Sequence, residues 1–370
     1  MQQRLLSQVI CHAHKHYWKV CRCSSIGSEK TINIDRRRLH SSSLLCRKQS
    51  NVVNVFDRHT KLLQRERAAK NPDVAVYDYL KEEVGYRLSD RILDIKRELK
   101  VGLDLGTGRG HVAKNIIHGT LEYLYMSDMS PAMVESAQTP EDVTFKKMVF
   151  DEEETFPFDT ESLDLVISNL NLHWVNNLPG CLREINRVLK KDGVFLASVF
   201  GGDTLYELRS SLVLAELERE GGFAPHISPF TEIQDIGALL SSCGFTMLTI
   251  DTDEIVVGYP SVFELMFDLQ GMAESNANIK RKALIHRDTL LAASAIYQEM
   301  YGNQDGIPAT FQVIYMIGWK PDPSQVVSQA ERGSGQVSLK DLNRLNEMVK
   351  EAGMEGRIKF MEELTGDKDK

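Results

Sequence analysis

Between residues 101 and 200, short apolar runs alternate with amphipathic segments. This alternation restricts the fold more than any other feature of the chain. VGLDL (Val101–Leu105), LEYLYMSD (Leu121–Asp128), VTFKKMVFD (Val143–Asp151), LDLVISN (Leu163–Asn169) and VFLASVF (Val194–Phe200) read as strands. HVAKNIIHG (His111–Gly119, with Gly119 as its cap), PAMVESA (Pro131–Ala137, proline in the first turn) and GCLREINRVLK (Gly180–Lys190) read as helices. Strands separated by helices at this spacing predict an α/β fold, a Rossmann-like and mainly parallel sheet covered on both faces. Past the fifth strand, T-x-x-E at Thr204–Glu207 predicts a capping box opening a helix that runs to Gly221–Gly222. A proline-broken loop leads to a helix ending at Gly244, then Phe245–Val257 reads as strand, 260–302 as mostly helical and Ala309–Lys320 as the last strand. Upstream, Tyr79, Leu80, Val84, Leu88, Ile92 and Ile95 fall at three- and four-residue spacing, as expected of a helix over the entrance to the sheet.

Charge divides the chain. Residues 1–50 hold ten Lys and Arg against Glu29 and Asp35, a balance of +8; the whole chain is −8, so the remainder carries −16. An Arg- and Ser-rich, acid-poor start without a long apolar core reads as a mitochondrial targeting segment, the alternative being a basic arm for an acidic partner. An acidic body argues against nucleic acid as a partner, because phosphates need a cationic face. Four of the six cysteines (Cys11, Cys21, Cys23, Cys46) lie in the basic segment, leaving Cys181 and Cys243 without disulfide or zinc spacing. No run is long and apolar enough to predict a transmembrane helix, so membrane contact is expected to be peripheral. The expected organisation is 1–50 targeting segment, 51–99 helical N-terminal cover, 100–320 cofactor domain, and 321–370 a polar linker with a surface helix.

The loop after the first strand, LDLGTGRG, spaces Gly106, Gly108 and Gly110 as G-x-G-x-G, with Asp104 two residues before. Such a loop can hold NAD, FAD, a nucleotide or S-adenosylmethionine. The dinucleotide fingerprint is instead G-x-G-x-x-G, and no G-K-[ST] follows. Asp128 ends the second strand, where a carboxylate can take both ribose hydroxyls, and Asp151 ends the third, where one can take an adenine amino group. Met129 and Asn169 stand beside these strand ends.

These motifs resemble the S-adenosylmethionine-dependent methyltransferases of the class I type: LDLGTGRG their first motif, MSDMSPAMVESA their second, and VFDEEETFPFDTESLDLVISNLNLHWVNNL their third and fourth. The resemblance implies a seven-stranded sheet, S-adenosylmethionine as cofactor, and Asp104, Gly106, Gly108, Gly110, Asp128, Met129, Asp151 and Asn169 as its binding residues. SNLNLHWVNNLP and TLYELR also resemble the bacterial enzymes that methylate a malonyl thioester. NVFDRHTKLLQRERAA, YDYLKEEVGYRL, FGGDTLYELRSSLVLAELEREGGFAPHISPF and DLQGMAESNA…RKALIHRDTLLAA resemble a family of mitochondrial assembly factors of respiratory complex I. That resemblance implies arginine hydroxylation of a complex I subunit, on the matrix side of the inner membrane. A methyltransferase of a protein or small molecule and a non-catalytic assembly chaperone are the alternatives.

Methyl transfer needs positioning, desolvation and at most a base. Hydroxylation needs an additional redox cofactor or metal, because side chains supply no oxidant. No metal site is assigned: His286 and Asp288 of HRD read as helical, where residues two apart diverge, and Ala293 stands where a kinase loop has Asn. The catalytic candidates are His173 and Trp174, just past the fourth strand, and His226 in PHISPF, which reads as a lid or as a rigid turn. His173 would act as a base or bond a substrate guanidinium when neutral, and Trp174 would stack on it. The acids of Asp151–Glu154 suit a cationic substrate.

Overall fold

The computed structural model describes residues 54–304, 306–323 and 325. The targeting segment and the C-terminal surface helix read from the sequence lie outside them. The described elements are α1 (Arg58–Ala69), α2 (Tyr79–Leu93), β1 (Val101–Leu105), β2 (Tyr123–Asp128), α3 (Pro131–Ser136), β3 (Thr144–Val149), β4 (Leu163–Asn169), α4 (Leu178–Val188), β5 (Leu189–Phe200), α5 (Tyr206–Glu220), α6 (Ile233–Ser242), β6 (Thr246–Tyr259), α7 (Val262–Gly271), α8 (Arg287–Tyr301) and β7 (Ile307–Trp319). No described helix is long and apolar enough to cross a membrane.

One seven-stranded sheet has the order β3-β2-β1-β4-β5-β7-β6, parallel from β3 to β5, with β7 antiparallel to both β5 and β6. The order reverses between β1 and β4, the switch point where open α/β sheets leave a crevice at the carboxyl ends of their strands. Burial follows position. Every residue of β4 is buried, whereas edge strand β6 mostly alternates half-buried with exposed positions. Leu165 and Ile167 pack into one apolar cluster while Val166, between them, packs into the other, so the period-two pleat builds a core on each face. On α2, Leu80, Val84, Leu88 and Ile92 are buried as the spacing predicts.

Two local readings are corrected. His111–Gly119 is no α-helix: only a single three-ten turn forms, at Ala113–Asn115. Three β-branched residues (Val112, Ile116, Ile117) weaken helix formation there, and the Asn115 amide donates to the His111 carbonyl at 2.8 Å. Gly119 does adopt φ +86°. The Thr204–Glu207 capping box does not close either. Thr204 Oγ1 donates to the Gln312 carbonyl at 3.0 Å, Glu207 accepts from Thr310, and Leu205 at φ +54° caps α5. Partners on β7 outcompete the local ones. The 260–302 stretch is two helices separated by an irregular segment, 272–286. His286 is the extended N-cap of α8 rather than a helical residue, and both it and Asp288 are exposed.

Candidate active site

The parallel registers bring the carboxyl ends of β1, β2 and β4 to one edge. In the loop after β1, Gly106, Gly108 and Gly110 have φ of +71°, +55° and +81°. A Cβ at Gly106 would lie 2.0 Å from Asn171 Nδ2 and one at Gly110 2.1 Å from the Gln138 carbonyl, so both are bound by close approach as well as by φ. At Gly108 a Cβ would meet His111 Cδ2 at 3.8 Å, an ordinary contact, so only its φ calls for glycine. Asp104 is fully buried. Its Oδ2 accepts from Thr107 Oγ1 at 2.6 Å, its Oδ1 has no partner, and burial pushes its pKa up to about 7. Asp128, also buried, accepts from the backbone N–H of Gly108 at 3.2 Å and of Ser130 at 2.9 Å. An unpartnered carboxylate oxygen and a second acid beside the glycine loop suit a ligand that brings an amine and a diol, as S-adenosylmethionine does. Half-buried Met129 follows Asp128. Asn169 is instead committed to the scaffold, donating to the Lys81 carbonyl at 3.0 Å and accepting from Ser198 Oγ at 2.9 Å.

The structure adds residues that the sequence reading missed. Helix α1 buries Lys61, Gln64, Arg65 and Ala68, sending cations where a helix normally sends apolar groups. Arg58 donates to Asp151 at 2.6 Å and to Glu152; Arg65 donates to Asp128 at 3.2 and 3.3 Å and to Asn171. Glu152 is buried and accepts from Asn171 Nδ2 at 2.9 Å. Burial alone would raise its pKa, yet the Arg58 and Arg65 guanidinium groups hold it below the usual value. The sequence signal for α1 is its 58, 61, 65 cation spacing, which places these side chains on one helix face.

A second cluster surrounds Glu274, in the irregular 272–286 segment. Its carboxylate receives Lys81 at 2.8 Å and Trp174 Nε1 at 2.8 Å, and lies 3.5 Å from His173 Nε2. Burial opposes its charge, but Lys81, the His173 contact and Lys61 keep it ionised far into acid. Trp174 is buried and its ring face is taken by Lys61, whose ammonium lies 3.3 Å from the centroid and donates to the Ala273 and Ser275 carbonyls at 2.9 and 3.2 Å. Burial pulls the His173 pKa down, so the ring is neutral, and its Nδ1 has no partner. Phe230 of the 225–230 loop packs against His173 at 5.7 Å between ring centroids. His226 is not brought into this cluster; it pairs with Glu216 at 2.8 Å.

Among the described residues one group has metal-ligating composition, Asp78, Glu82 and His111, with candidate ligand atoms within 4.8 Å of one another. It does not fit a divalent ion well. Arg109 already pairs with Asp78 and Lys114 with Glu82, so an incoming ion would meet two resident cations.

A methyltransferase-domain family model matches residues 103–197. The human (Homo sapiens) protein named arginine-hydroxylase NDUFAF5, mitochondrial, is 49% identical over 90% of this chain and 96% of its own length. The Dictyostelium discoideum protein of the same name is 45% identical over 79% of this chain and 71% of its own. A malonyl-[acyl-carrier protein] O-methyltransferase of Laribacter hongkongensis is 31% identical over 70% of this chain and 89% of its own. The chain therefore belongs to the mitochondrial arginine-hydroxylase NDUFAF5 family, built on a methyltransferase fold.

Proposed function

We propose that this chain binds S-adenosylmethionine at the β1–β4 edge and hydroxylates an arginine of a complex I subunit. We place that reaction in the mitochondrion, on the matrix side of the inner membrane, with peripheral contact to it. One observation carries the reading: the carboxylates of Asp128, Asp151, Glu152 and Glu274 and the indole face of Trp174 each meet a side-chain cation of α1 or α2. Groups that hold Arg58, Lys61 and Arg65 have the chemistry to hold a substrate guanidinium.

Within this reading each residue has a task. Asp104, Gly106, Gly108, Gly110, Asp128, Met129 and Asp151 surround the cofactor, while Asn169 braces the end of β4. Glu274 accepts a hydrogen bond from His173 Nε2–H, which leaves Nδ1 as a lone-pair acceptor for a guanidinium N–H. Trp174, whose ring face Lys61 covers, offers it to the same cation once Lys61 gives way. His226 orders the 225–230 loop through Glu216 rather than acting on substrate. Hydroxylation replaces C–H by C–OH and draws on a redox group that side chains do not supply. The chain's own residues bind, orient and exclude water.

A methyltransferase is the second reading, favoured by the glycine loop and by the likeness to malonyl-thioester methyltransferases. Mass spectrometry of a complex I subunit treated with the full chain, S-adenosylmethionine, dioxygen and a mitochondrial extract as reductant separates them. A gain of one oxygen on arginine is expected, a gain of one methylene would establish the second reading, and an unchanged mass would leave an assembly chaperone.

A further inference from the structure

Asp128 has two sets of donors. The Gly108 and Ser130 backbone N–H groups belong to the loops that flank it. Arg65 arrives from α1, 63 residues earlier in the chain, and touches both carboxylate oxygens. A ribose diol approaching over the glycine loop needs those same oxygens. Arg65 brings a full charge and a charge-assisted bond, whereas hydroxyls are neutral donors, so the exchange is uphill at Asp128. The displaced guanidinium has somewhere to go: Glu152 Oε1 lies 3.8 Å from Arg65 Nη1.

The structure assigns to Arg65 the role of an internal competitor that sets cofactor affinity. With Arg65 on Asp128, α1 sits closed over the crevice. When the cofactor takes Asp128, Arg65 shifts toward Glu152 and α1 loosens. Arg58 reinforces the closed arrangement by holding Asp151, the second acid assigned to the cofactor. The consequence is reciprocal: whatever loosens α1 tightens cofactor binding, and cofactor binding loosens α1. An arginine-bearing substrate that engages Glu152 would compete for the same carboxylate. This inference rests on S-adenosylmethionine occupying the Asp128 site.

Calorimetric titration of the full chain with S-adenosylmethionine tests it. Arg65→Met is expected to tighten binding about tenfold, and Arg65→Lys, which keeps the charge, to stay near the parent value. Unchanged or weaker binding by Arg65→Met overturns the competitor role while leaving the cofactor site standing. Absence of binding by the parent and both variants overturns the cofactor reading, and the inference with it. Hydrogen exchange of the unmodified chain needs no variant. Amides of residues 58–69 are expected to exchange faster with cofactor present; slower or unchanged exchange overturns the proposal.

Discussion

Helices α1 and α2 follow one another in the chain, yet their buried faces differ in kind, although α2 too pairs a cation, Lys81, with Glu274. Helix α2 buries Leu80, Val84, Leu88 and Ile92, an attachment made by removing apolar area from water. Helix α1 buries Lys61, Gln64 and Arg65, and its hold is a set of charge pairs whose desolvation cost offsets much of their attraction. An apolar contact is insensitive to a polar ligand. A charge-paired contact can be exchanged for one. The comparison separates a permanent cover from a conditional one.

The largest expected effect comes from removing the anion beside Lys61. Burial pulls the Lys61 pKa well down and Glu274 opposes that, so Glu274→Leu removes the main support for the Lys61 charge and leaves Lys81 without its ion pair; it should cost roughly 3–5 kcal/mol in urea unfolding at neutral pH. If the loss is under about 1 kcal/mol, the charge cluster does not hold α1. Leu88→Ala, on the apolar side of the comparison, should cost roughly 2–5 kcal/mol, with the same loss in low and high salt. A marked salt dependence of that loss would erase the distinction drawn between the two helices.

Asp104, near the end of β1, provides a pH test. Its folded pKa, pushed up to about 7 by burial, exceeds its unfolded value, so the folded state keeps a proton that the unfolded state loses. Its contribution is therefore fully present below about pH 4, where the unfolded Asp is protonated, and is lost as pH rises toward 7. Asp104→Asn should flatten that part of the stability profile and leave the chain at least as stable as the parent at pH 8. Denaturation midpoints at pH 5 and pH 8 measure it; equal slopes in variant and parent would refute the shift. The smallest effect belongs to exposed Lys70, the C-cap of α1, which pairs with half-buried Glu66 at 3.0 Å. Lys70→Ala should change stability by no more than about 0.5 kcal/mol. A larger loss would mean that α1 depends on its outer face too.

Legibility followed the range of the interactions. The glycine loop, Asp104, Asp128 and Asp151 could be placed from sequence because each sits within a few residues of a strand end. Trp174 and His173 were found as loop residues past β4, but their environment was not. Glu274 lies 100 residues from Trp174 and Lys61 lies 113 before it, and nothing local marks either as a neighbour. The Thr204–Glu207 cap failed for a related reason, its partners being on β7, whereas the 111–119 helix failed locally, through β-branched residues and the Asn115–His111 bond.

Taken alone, the sequence determined the alternation of strands and helices, the apolar face of α2 and the glycine turn after β1. Those depend on periodicity, propensity and φ, which are properties of neighbouring residues. Only the tertiary structure decided that the cations of α1 face inward, that Arg65 takes Asp128 and that Glu274 joins His173 to Trp174. A charge is placed by whichever opposite charge the fold brings beside it, and that partner has no fixed distance along the chain.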